Sequence, residues 1–384
     1  MSGAAASAPR IAMVAGEASG DLLAGMLLAA LRARWPALTA QGIGGPQMAA
    51  HGFEAWWPHE RLAVRGYAEV LRHLRGLIAL RRELGDRLLR ERPDLFIGVD
   101  APDFNLGLAE RLRAGGLRTV QFVSPSIWAW RPQRVHQIGR AVDAVLCLFP
   151  FEPAIYAAHG IEARYVGHPL ADRIPLTVPR AESRQALGLA DADTVVALLP
   201  GSRRSEIAYI APRLIAAADR LWRERPSLRF VLPAAPGLRP ALEPLLRRAG
   251  VHAPIELLDG RSHAALAACD LTLIASGTAT LEAALFKRPM VIVYNMHWLS
   301  YRWMKRQKML PWVGLPNILL NEGVVPELLQ AAATPERIAA AGQAWLDDAP
   351  ACARLAERFS QLHQTLRRDT AQAATDAIAQ ILAR

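Results

Sequence analysis

The chain has 384 residues, more than the ~100 to 200 residues of one ordinary domain, so two domains are expected. Hydrophobic residues make up 52% of it, enough for two large cores, and its three scattered cysteines argue against a disulfide framework and fit a reducing cytoplasm. The net charge of +10, carried almost entirely by arginine, predicts attraction to anionic lipid, nucleic acid or phosphorylated substrates unless it reflects genome composition alone, and the lack of any run of ~18 uncharged apolar residues excludes a membrane-spanning helix.

The N-terminal half contains apolar runs of strand length that alternate with stretches of helical periodicity. Residues 1–9 precede them and lack the charged start and apolar centre of a signal peptide, so secretion is not expected. Near-continuous apolar strands separated by helices are typical of a parallel sheet covered on both faces. The predicted strands of this half are 11–15, 95–99, 119–123, 144–149 and 164–166.

Three turns follow strands of this half, and ligands of such sheets bind at the carboxyl ends of strands. Residues 16–21 bring two carboxylates and two glycines, and residues 42–46 form a glycine turn that does not match a dinucleotide fingerprint. In residues 100–105, Asp100 is suited to act as a general base on a sugar hydroxyl, although it is as readily the cap of the next helix. For Asp103, helix capping is the favoured interpretation.

A basic amphipathic helix is predicted at residues 68–90. Its leucines and arginines suit an anionic lipid surface, but an ordinary domain helix with its apolar stripe in the core is the commoner explanation. Residues 169–184, with three prolines, form the predicted linker to a second strand series. The strands of that series are 194–199, 229–232, 255–258, 271–275 and 290–294, and the chain is helical after Pro335.

Two strands of the second series end in turns that favour a diphosphate. Residues 276–282 read Ser-Gly-Thr-Ala-Thr-Leu-Glu, and residues 200–206 add Arg203 and Arg204 to a small-residue turn. Small residues let the backbone approach a ligand, and the first amides of a helix attract phosphate. Each turn alone is more often a plain capped helix. Together they favour a nucleotide diphosphate, with Glu282 placed to take the ribose hydroxyls.

Residues 297–312 hold three tryptophans among four cations. Tryptophan with lysine and arginine suits a lipid interface, and a buried interdomain helix is an equally good explanation. The same residue types could stack on nucleic acid, but no DNA or RNA motif accompanies them, so no nucleic-acid partner is expected. The ten histidines show no metal-ligand spacing, and neither a metal nor another cofactor is expected. We therefore predict an α/β protein of two Rossmann-like domains facing each other across a cleft.

Seven motifs in order resemble those of the lipid-A-disaccharide synthase family, and together they extend over residues 11–330. They lie at residues 15–21, 98–105, 124–131, 167–169, 199–203, 275–282 and 315–317. The resemblance implies a GT-B-type glycosyltransferase with an acceptor-binding domain at residues 8–172 and a UDP-sugar-binding domain at residues 173–349. It further implies that C-terminal helices, about 350–384, return to pack on the first domain.

The implied reaction is an inverting, metal-independent transfer. UDP-2,3-diacylglucosamine donates its sugar to the 6-hydroxyl of 2,3-diacylglucosamine 1-phosphate, which gives a β-1,6-linked lipid A disaccharide 1-phosphate and UDP. The family also implies peripheral contact with the anionic cytoplasmic face of the inner membrane, and a homodimer that exchanges C-terminal parts. Arg65 stands where the family has an apolar methionine, and this departure bears on the lipid contacts of its loop.

Carried over by position, Asp100 is the expected base, Glu17 is the runner-up, and Arg203 stabilises the leaving diphosphate. The remaining expected substrate contacts are Gly201, Ser202, Leu258, Asp259, Gly260, Ser276, Gly277, Thr278, Ala279, Glu282 and Asn317. Glu282 would hold the ribose, residues 258–260 the uracil, and Asn317 the sugar or phosphate. Two rival hypotheses remain, a UDP-amino-sugar epimerase of the same fold and a non-catalytic binding module.

Overall fold

The computed structural model describes residues 8–62, 67–247, 251–295 and 310–384, with backbone alone for residues 67–74. Contacts group the chain into two units, one up to Asp172 together with Leu366–Arg384, and one over Arg173–Thr365. The chain thus enters the second unit within the predicted linker. It rejoins the first unit at Leu366, whereas the family resemblance implied a return near residue 350.

The first unit contains a seven-stranded parallel sheet of order β3-β2-β1-β4-β5-β6-β7. Its strands are β1 Arg10–Ala15, β2 Thr39–Gly44, β3 Glu54–Pro58, β4 Leu95–Val99, β5 Thr119–Phe122, β6 Ala144–Cys147 and β7 Ala163–Tyr165. Its helices are α1 Ala18–Arg34, α2 Pro46–Ala49, α3 Tyr67–Glu91, α4 Pro102–Ala114, α5 Arg134–Ala141 and α6 Glu152–Ala157, with a 3-10 turn at His59–Arg61.

The second unit contains a six-stranded parallel sheet of order β10-β9-β8-β11-β12-β13. Its strands are β8 Thr194–Leu199, β9 Leu228–Ala234, β10 Ile255–Asp259, β11 Leu271–Ala275, β12 Met290–Tyr294 and β13 Glu327–Leu329. After the junction helix α7 Pro169–Arg173, the helices are α8 Arg180–Ala186, α9 Arg204–Glu224, α10 Arg239–Leu246, α11 Ser262–Ala268, α12 Thr278–Leu285, α13 Leu315–Leu320, α14 Pro335–Asp347 and α15 Ala349–Leu366, with a 3-10 turn at Gln330–Ala332. Helix α16, Thr370–Leu382, belongs to the first unit.

Both faces of the first sheet are buried, which explains its near-continuous apolar strands. Along β1, Ile11 and Met13 point to one core, and Ala12 and Val14 to the other. Helix α16 completes the first of these cores through Ile378 and other apolar residues. In the second unit, helices α9 and α14 cover one sheet face in the same way. The predicted α/β class with two parallel Rossmann-like sheets is confirmed.

Three strands were not predicted, because their sequences lack an apolar run. Strand β2 contains Gly42 and Gly44, which were interpreted as part of a turn. Gly42 is required there, because it has φ +139° and a Cβ atom would lie 2.3 Å from the carbonyl oxygen of Met13. Strand β3 is partly exposed, and β13 has three residues; both lie at sheet edges.

The described part of the basic helix α3 is an ordinary domain helix. Leu80, Leu84 and Leu88 are buried in the core beneath the first sheet. The core interpretation of the apolar stripe is therefore confirmed over this part of the helix. The loop with Arg65 and the tryptophan-rich residues 297–309 lie outside the described residues.

Candidate active site

The two predicted diphosphate turns follow neighbouring strands of the second sheet. Strands β8 and β11 are adjacent and parallel, with Ile274 opposite Leu199. Both strands therefore end at the same edge of the sheet, and the turns at residues 200–203 and 276–277 lie side by side. Helices α9 and α12 begin directly after them.

The turn after β8 is closed by a carboxylate of its own helix. Glu206 Oε2 accepts hydrogen bonds from the amides of Ser202 at 2.8 Å and Arg203 at 3.2 Å. The Arg203 guanidinium donates to Glu206 Oε1 at 2.9 Å, and its side chain is 67% exposed. The backbone wraps tightly around this carboxylate, because Gly201 has φ +112° and a Cβ atom would lie 2.4 Å from Glu206 Oε2. An anionic group thus already occupies the donors of this turn.

The turn after β11 leaves its amides open. Gly277 has φ +154°, and a Cβ atom built on it meets no atom within 4 Å. Thr280 bonds back to the Gly277 carbonyl oxygen through its hydroxyl at 2.7 Å and its amide at 3.1 Å. Within the part of the chain that the structure describes, no acceptor binds the amides of Gly277, Thr278 and Ala279. Such unpaired amides at a helix start attract an anion.

Ser276 lies in this turn but is already bonded within the protein. Its amide donates to Val293 and its hydroxyl to Val313, both at 3.0 Å. Ser276 therefore holds the turn in place and ties it to the segment before α13. A ligand would have to displace one of these bonds to use it.

Asn317 also supports this segment. It is fully buried, and its side-chain nitrogen donates to Val325 and to Glu327, both at 2.9 Å, while its oxygen accepts from the Val325 amide at 3.0 Å. Glu327 in turn accepts the amides of Val313 and Gly314. All the polar atoms of Asn317 are thus used, which the motif could not show because their partners lie 8 and 10 residues away.

Glu282 lies one turn into α12, where it is half-buried. Its Oε1 atom is 3.7 Å from Nε2 of His263, whose ring also contacts Phe286 edge-on. The sequence alone does not predict this contact, because His263 lies on a different helix, α11. The Glu282 carboxylate and the His263 ring thus lie next to the open turn, where they are able to hydrogen-bond to hydroxyl groups.

At residues 258–260, in contrast to the open turn, the polar groups are bonded within the protein. Leu258 is buried, and the Asp259 carboxylate accepts from Arg239 at 2.7 Å, an ion pair that raises the pKa of Arg239. The Gly260 amide donates to Ala234 at 2.8 Å. The Gly260 amide is therefore engaged within the sheet edge.

In the first unit, Asp100 lies just after β4 in a left-handed backbone conformation. Its φ is +51° and that of Ala101 is +40°. Burial raises the pKa of Asp100; a hydrogen bond with the Ala101 backbone opposes this, and the nearby charge of Glu17 adds to the rise. A carboxylate with a raised pKa is a stronger base than an ordinary aspartate, which suits proton abstraction.

The strained position of Asp100 is held by two buried amide side chains. Its carbonyl oxygen accepts from Asn105 at 2.9 Å and from Gln121 at 3.0 Å. Gly16 approaches the same loop, since a Cβ atom on it would lie 2.8 Å from Ala101 Cβ. Strands β1 and β4 are neighbours, so Glu17 and Asp100 follow adjacent strand ends. Gln121 was not singled out from the sequence.

Two other carboxylates of these turns have structural roles. Asp21 is buried and accepts the amides of Gly45, Gln47 and Met48 at 2.8 to 3.1 Å, which fixes the start of α2. The prediction that Asp103 caps α4 is wrong. Ala101 is the N-cap residue without a side-chain bond, and exposed Asp103 instead accepts from Arg134. The left-handed backbone before α4 displaces Asp103 into the first helical turn.

The described residues offer neither a cluster of metal ligands nor a membrane-spanning helix. No group of three or more histidine, cysteine or acidic side chains there could hold a metal ion. No helix described in the structure combines the length and the apolarity that crossing a bilayer demands.

Comparisons with known proteins identify the family of the chain. Residues 11–381 match the family model described as lipid-A-disaccharide synthetase. The lipid-A-disaccharide synthase of Albidiferax ferrireducens is 57% identical over 378 residues, with 97% of each chain covered. The chain belongs to the lipid-A-disaccharide synthase family. It is accordingly a glycosyltransferase.

Solved structures of more distant proteins show the GT-B fold of the family. Anabaena HepE in complex with UDP and glucose has a TM-score of 0.59 at 16% identity, with 98% of this chain and 99% of that chain covered. The UDP-GlcNAc 2-epimerase from Neisseria meningitidis bound to UDP-GlcNAc has a TM-score of 0.63 at 12% identity, with 97% and 99% covered. Because a transferase family and an epimerase share this fold, the fold alone does not separate the two hypotheses. The family match favours the transferase.

Proposed function

We propose that the chain transfers 2,3-diacylglucosamine from UDP-2,3-diacylglucosamine to the 6-hydroxyl of 2,3-diacylglucosamine 1-phosphate. The products are the β-1,6-linked disaccharide 1-phosphate and UDP. The observation that carries the proposal is the open turn after β11, whose three unpaired amides match a diphosphate. Family membership supplies the identity of the sugars.

In this proposal, residues 173–349 of the second unit bind the donor. The diphosphate accepts hydrogen bonds from the amides of Gly277, Thr278 and Ala279, and Glu282 takes the ribose hydroxyls. The uracil lies against residues 258–260. Ser276 and Asn317 act by holding the turn rather than by contacting the ligand, as their internal bonds favour.

Arg203 acts when the bond to the diphosphate breaks. Negative charge then grows on the leaving phosphate, and the guanidinium that now bonds Glu206 swings to it. Once Glu206 also releases the Ser202 amide, the Gly201 and Ser202 backbone contributes the second side of the diphosphate site. Fixed amides and one arginine supply the charge stabilisation, so the transfer needs no metal.

Residues 8–172 of the first unit bind the acceptor and supply the base. Asp100 takes the proton of the 6-hydroxyl as that oxygen attacks the anomeric carbon from the face opposite UDP, which inverts the anomeric configuration. Its raised pKa and its rigid support by Asn105 and Gln121 favour it over Glu17, which is exposed. Glu17 remains the second candidate.

Both proposed substrates carry apolar acyl chains, which reside in a lipid bilayer rather than in water. We propose peripheral contact with the anionic cytoplasmic face of the inner membrane, supported by the net charge of +10 and the cation-rich sequence of residues 297–312. A homodimer with exchanged C-terminal parts is proposed from the family resemblance.

The reaction is tested by incubating the protein with UDP-2,3-diacylglucosamine, with and without the lipid monosaccharide phosphate, in the presence and absence of EDTA. UDP and a β-linked disaccharide that appear only with both substrates, and equally with EDTA, support the proposal. Isomerisation of the sugar without acceptor would instead favour the epimerase. No reaction with either mixture would favour a binding module.

A further inference from the structure

We propose that Trp130 and Arg131 form the binding site for the phosphorylated sugar of the acceptor. The indole stacks on the apolar face of the sugar, and the guanidinium pairs with the 1-phosphate. This inference rests on the proposed function and names the part of the first unit that recognises its acceptor.

The two residues lie on the loop between β5 and α5, at the same edge of the sheet as Asp100. Strand β5 is the neighbour of β4, and the Asp100 amide donates to Phe122 at the end of β5. Farther along, Arg134 at the start of α5 bonds Asp103 at the start of α4. The loop therefore adjoins the turn that carries the proposed base.

A buried network fixes this loop to the unit beneath it. Trp128 Nε1 donates to buried Glu152 at 2.9 Å, and the Phe149 amide donates to the other Glu152 oxygen at 3.0 Å. The Trp128 ring also packs edge-on against Phe151. Ser124, at the start of the loop, shares a hydrogen bond of 2.8 Å with buried Tyr156. These bonds fix the position of the loop. Binding sites benefit from such preorganisation, because less conformational entropy is lost when the ligand binds.

On this fixed support, Trp130 is displayed to solvent. It is 38% exposed, whereas every other tryptophan of the described residues is less exposed. Arg131 has a left-handed φ of +54°, and its guanidinium carbon lies 4.4 Å from the centroid of the Trp130 ring. Stacking on an aromatic ring orients a guanidinium fork toward a phosphate, and an indole face suits the C–H face of a sugar.

Two acidic residues near this loop bear on how a phosphorylated acceptor could bind. Glu17 and Asp100 are acidic, and without a cation they would repel a phosphorylated sugar. Arg131 brings a positive charge to the loop that adjoins the Asp100 turn, and in this proposal that charge offsets the repulsion of the acceptor phosphate.

The chain offers a matched control pair away from this edge. Arg34 stacks over Trp35 with its guanidinium carbon 5.2 Å from the ring centroid, and it also bonds Asp376 at 2.7 Å. These residues lie at the end of α1, which starts at the carboxyl edge of the sheet and runs back along it. Arg34→Ala thus removes a cation from an aromatic ring without touching the proposed site.

The experiment compares Arg131→Ala, Trp130→Ala, Trp130→Phe and Arg34→Ala in the transfer reaction, with KM measured separately for donor and acceptor. Arg131→Ala is expected to raise the acceptor KM about tenfold or more, because a charge-assisted bond is lost. Trp130→Ala is expected to raise it about fivefold, with most of this recovered in Trp130→Phe. The donor KM of all four variants and the acceptor KM of Arg34→Ala stay at the wild-type values.

A second arm uses 2,3-diacylglucosamine without its 1-phosphate as the acceptor. The wild type is expected to prefer the phosphorylated acceptor about tenfold or more, and Arg131→Ala to lose that preference. Disaccharide formation with an acceptor KM within twofold of wild type in both alanine variants would overturn this inference alone. A rise in donor and acceptor KM together would also overturn it. A wild type that forms no disaccharide would instead overturn the proposed function.

Discussion

Two turns of the second unit look alike in sequence and differ in the structure. Each follows a buried strand, carries a glycine with positive φ and opens a helix. After β8, Glu206 fills the donors of the turn, whereas after β11 the amides stay open. A strand, a glycine turn and a helix therefore do not by themselves define an anion site.

The third residue of each helix causes the difference. In α9 it is Glu206, whose carboxylate reaches back to the backbone amides as in a capping box. In α12 it is Thr280, whose hydroxyl donates to the carbonyl oxygen of Gly277 and thus occupies no amide. The turn after β11 is consequently ready for a phosphate, and the turn after β8 must first release its carboxylate.

The largest expected effect on kcat comes from a variant outside both turns. It shows how the enzyme behaves when the diphosphate site is left intact. Asp100→Asn removes the proposed base and should lower kcat by about 10³, in the range of general-base contributions. UDP affinity should stay unchanged, because the turns that bind it are intact. Steady-state kinetics and UDP titration calorimetry measure the two quantities. A large loss of UDP affinity would show that Asp100 belongs to the donor site.

The pH profile separates the two candidate bases. Asp100 works when deprotonated, and its pKa is raised, so the rate should fall on the acid side at a higher pH than for an ordinary aspartate. Glu17→Gln removes a charge that raises this pKa, so it should move the acid limb to lower pH while activity persists. If Glu17→Gln abolished transfer as fully as Asp100→Asn, Glu17 would be the base instead.

The second largest effect tests the closed turn. Arg203→Ala should cost ~3 kcal/mol of barrier, roughly a hundredfold in kcat, because the growing charge on the diphosphate loses its cation. UDP should still bind through the open turn with less than tenfold loss. Arg223→Ala, on the far end of the same helix, provides the control. A hundredfold loss in UDP affinity without a change in kcat would place Arg203 in ground-state binding.

A smaller effect tests the open turn. Gly277→Ala forces a side chain into a conformation that costs ~1 to 3 kcal/mol and should weaken UDP binding about tenfold. Gly188→Ala is the matched control, since Gly188 also has positive φ and open space around it, but precedes β8. The two variants should lose comparable thermal stability. Equal UDP affinity in both would exclude the turn after β11 as the diphosphate site.

The smallest effect tests whether Glu206 competes with the ligand. Glu206→Ala frees the amides of Ser202 and Arg203, so UDP should bind about threefold more tightly, as for a lost competing charge at a helix start. The protein should lose about 1 kcal/mol of stability with the cap. Glu336→Ala, which removes an acidic residue from the first turn of α14 and breaks its ion pair with Arg220, is the control. Weaker UDP binding in Glu206→Ala would mean that Glu206 prepares the turn instead of blocking it.

The sequence predicted what depends on local pattern. Apolar strands buried on both faces were predicted in both sheets, whereas glycine-rich β2 and the short edge strands β3 and β13 were not. Glu206 was part of the predicted turn. Its position three residues after Arg203 is the spacing of a capping box, and this spacing indicates a closed turn. The internal roles of Asp21 and Asn317 depend on partners brought close by the fold, which local pattern does not reveal.

The most direct test of the account is a crystal structure of the protein with UDP bound. We expect phosphate oxygens within ~2.7 to 3.2 Å of the amide nitrogens of Gly277, Thr278 and Ala279, and Glu282 at the ribose. UDP bound with these amides left unoccupied, or with its phosphates in the first unit, would contradict it.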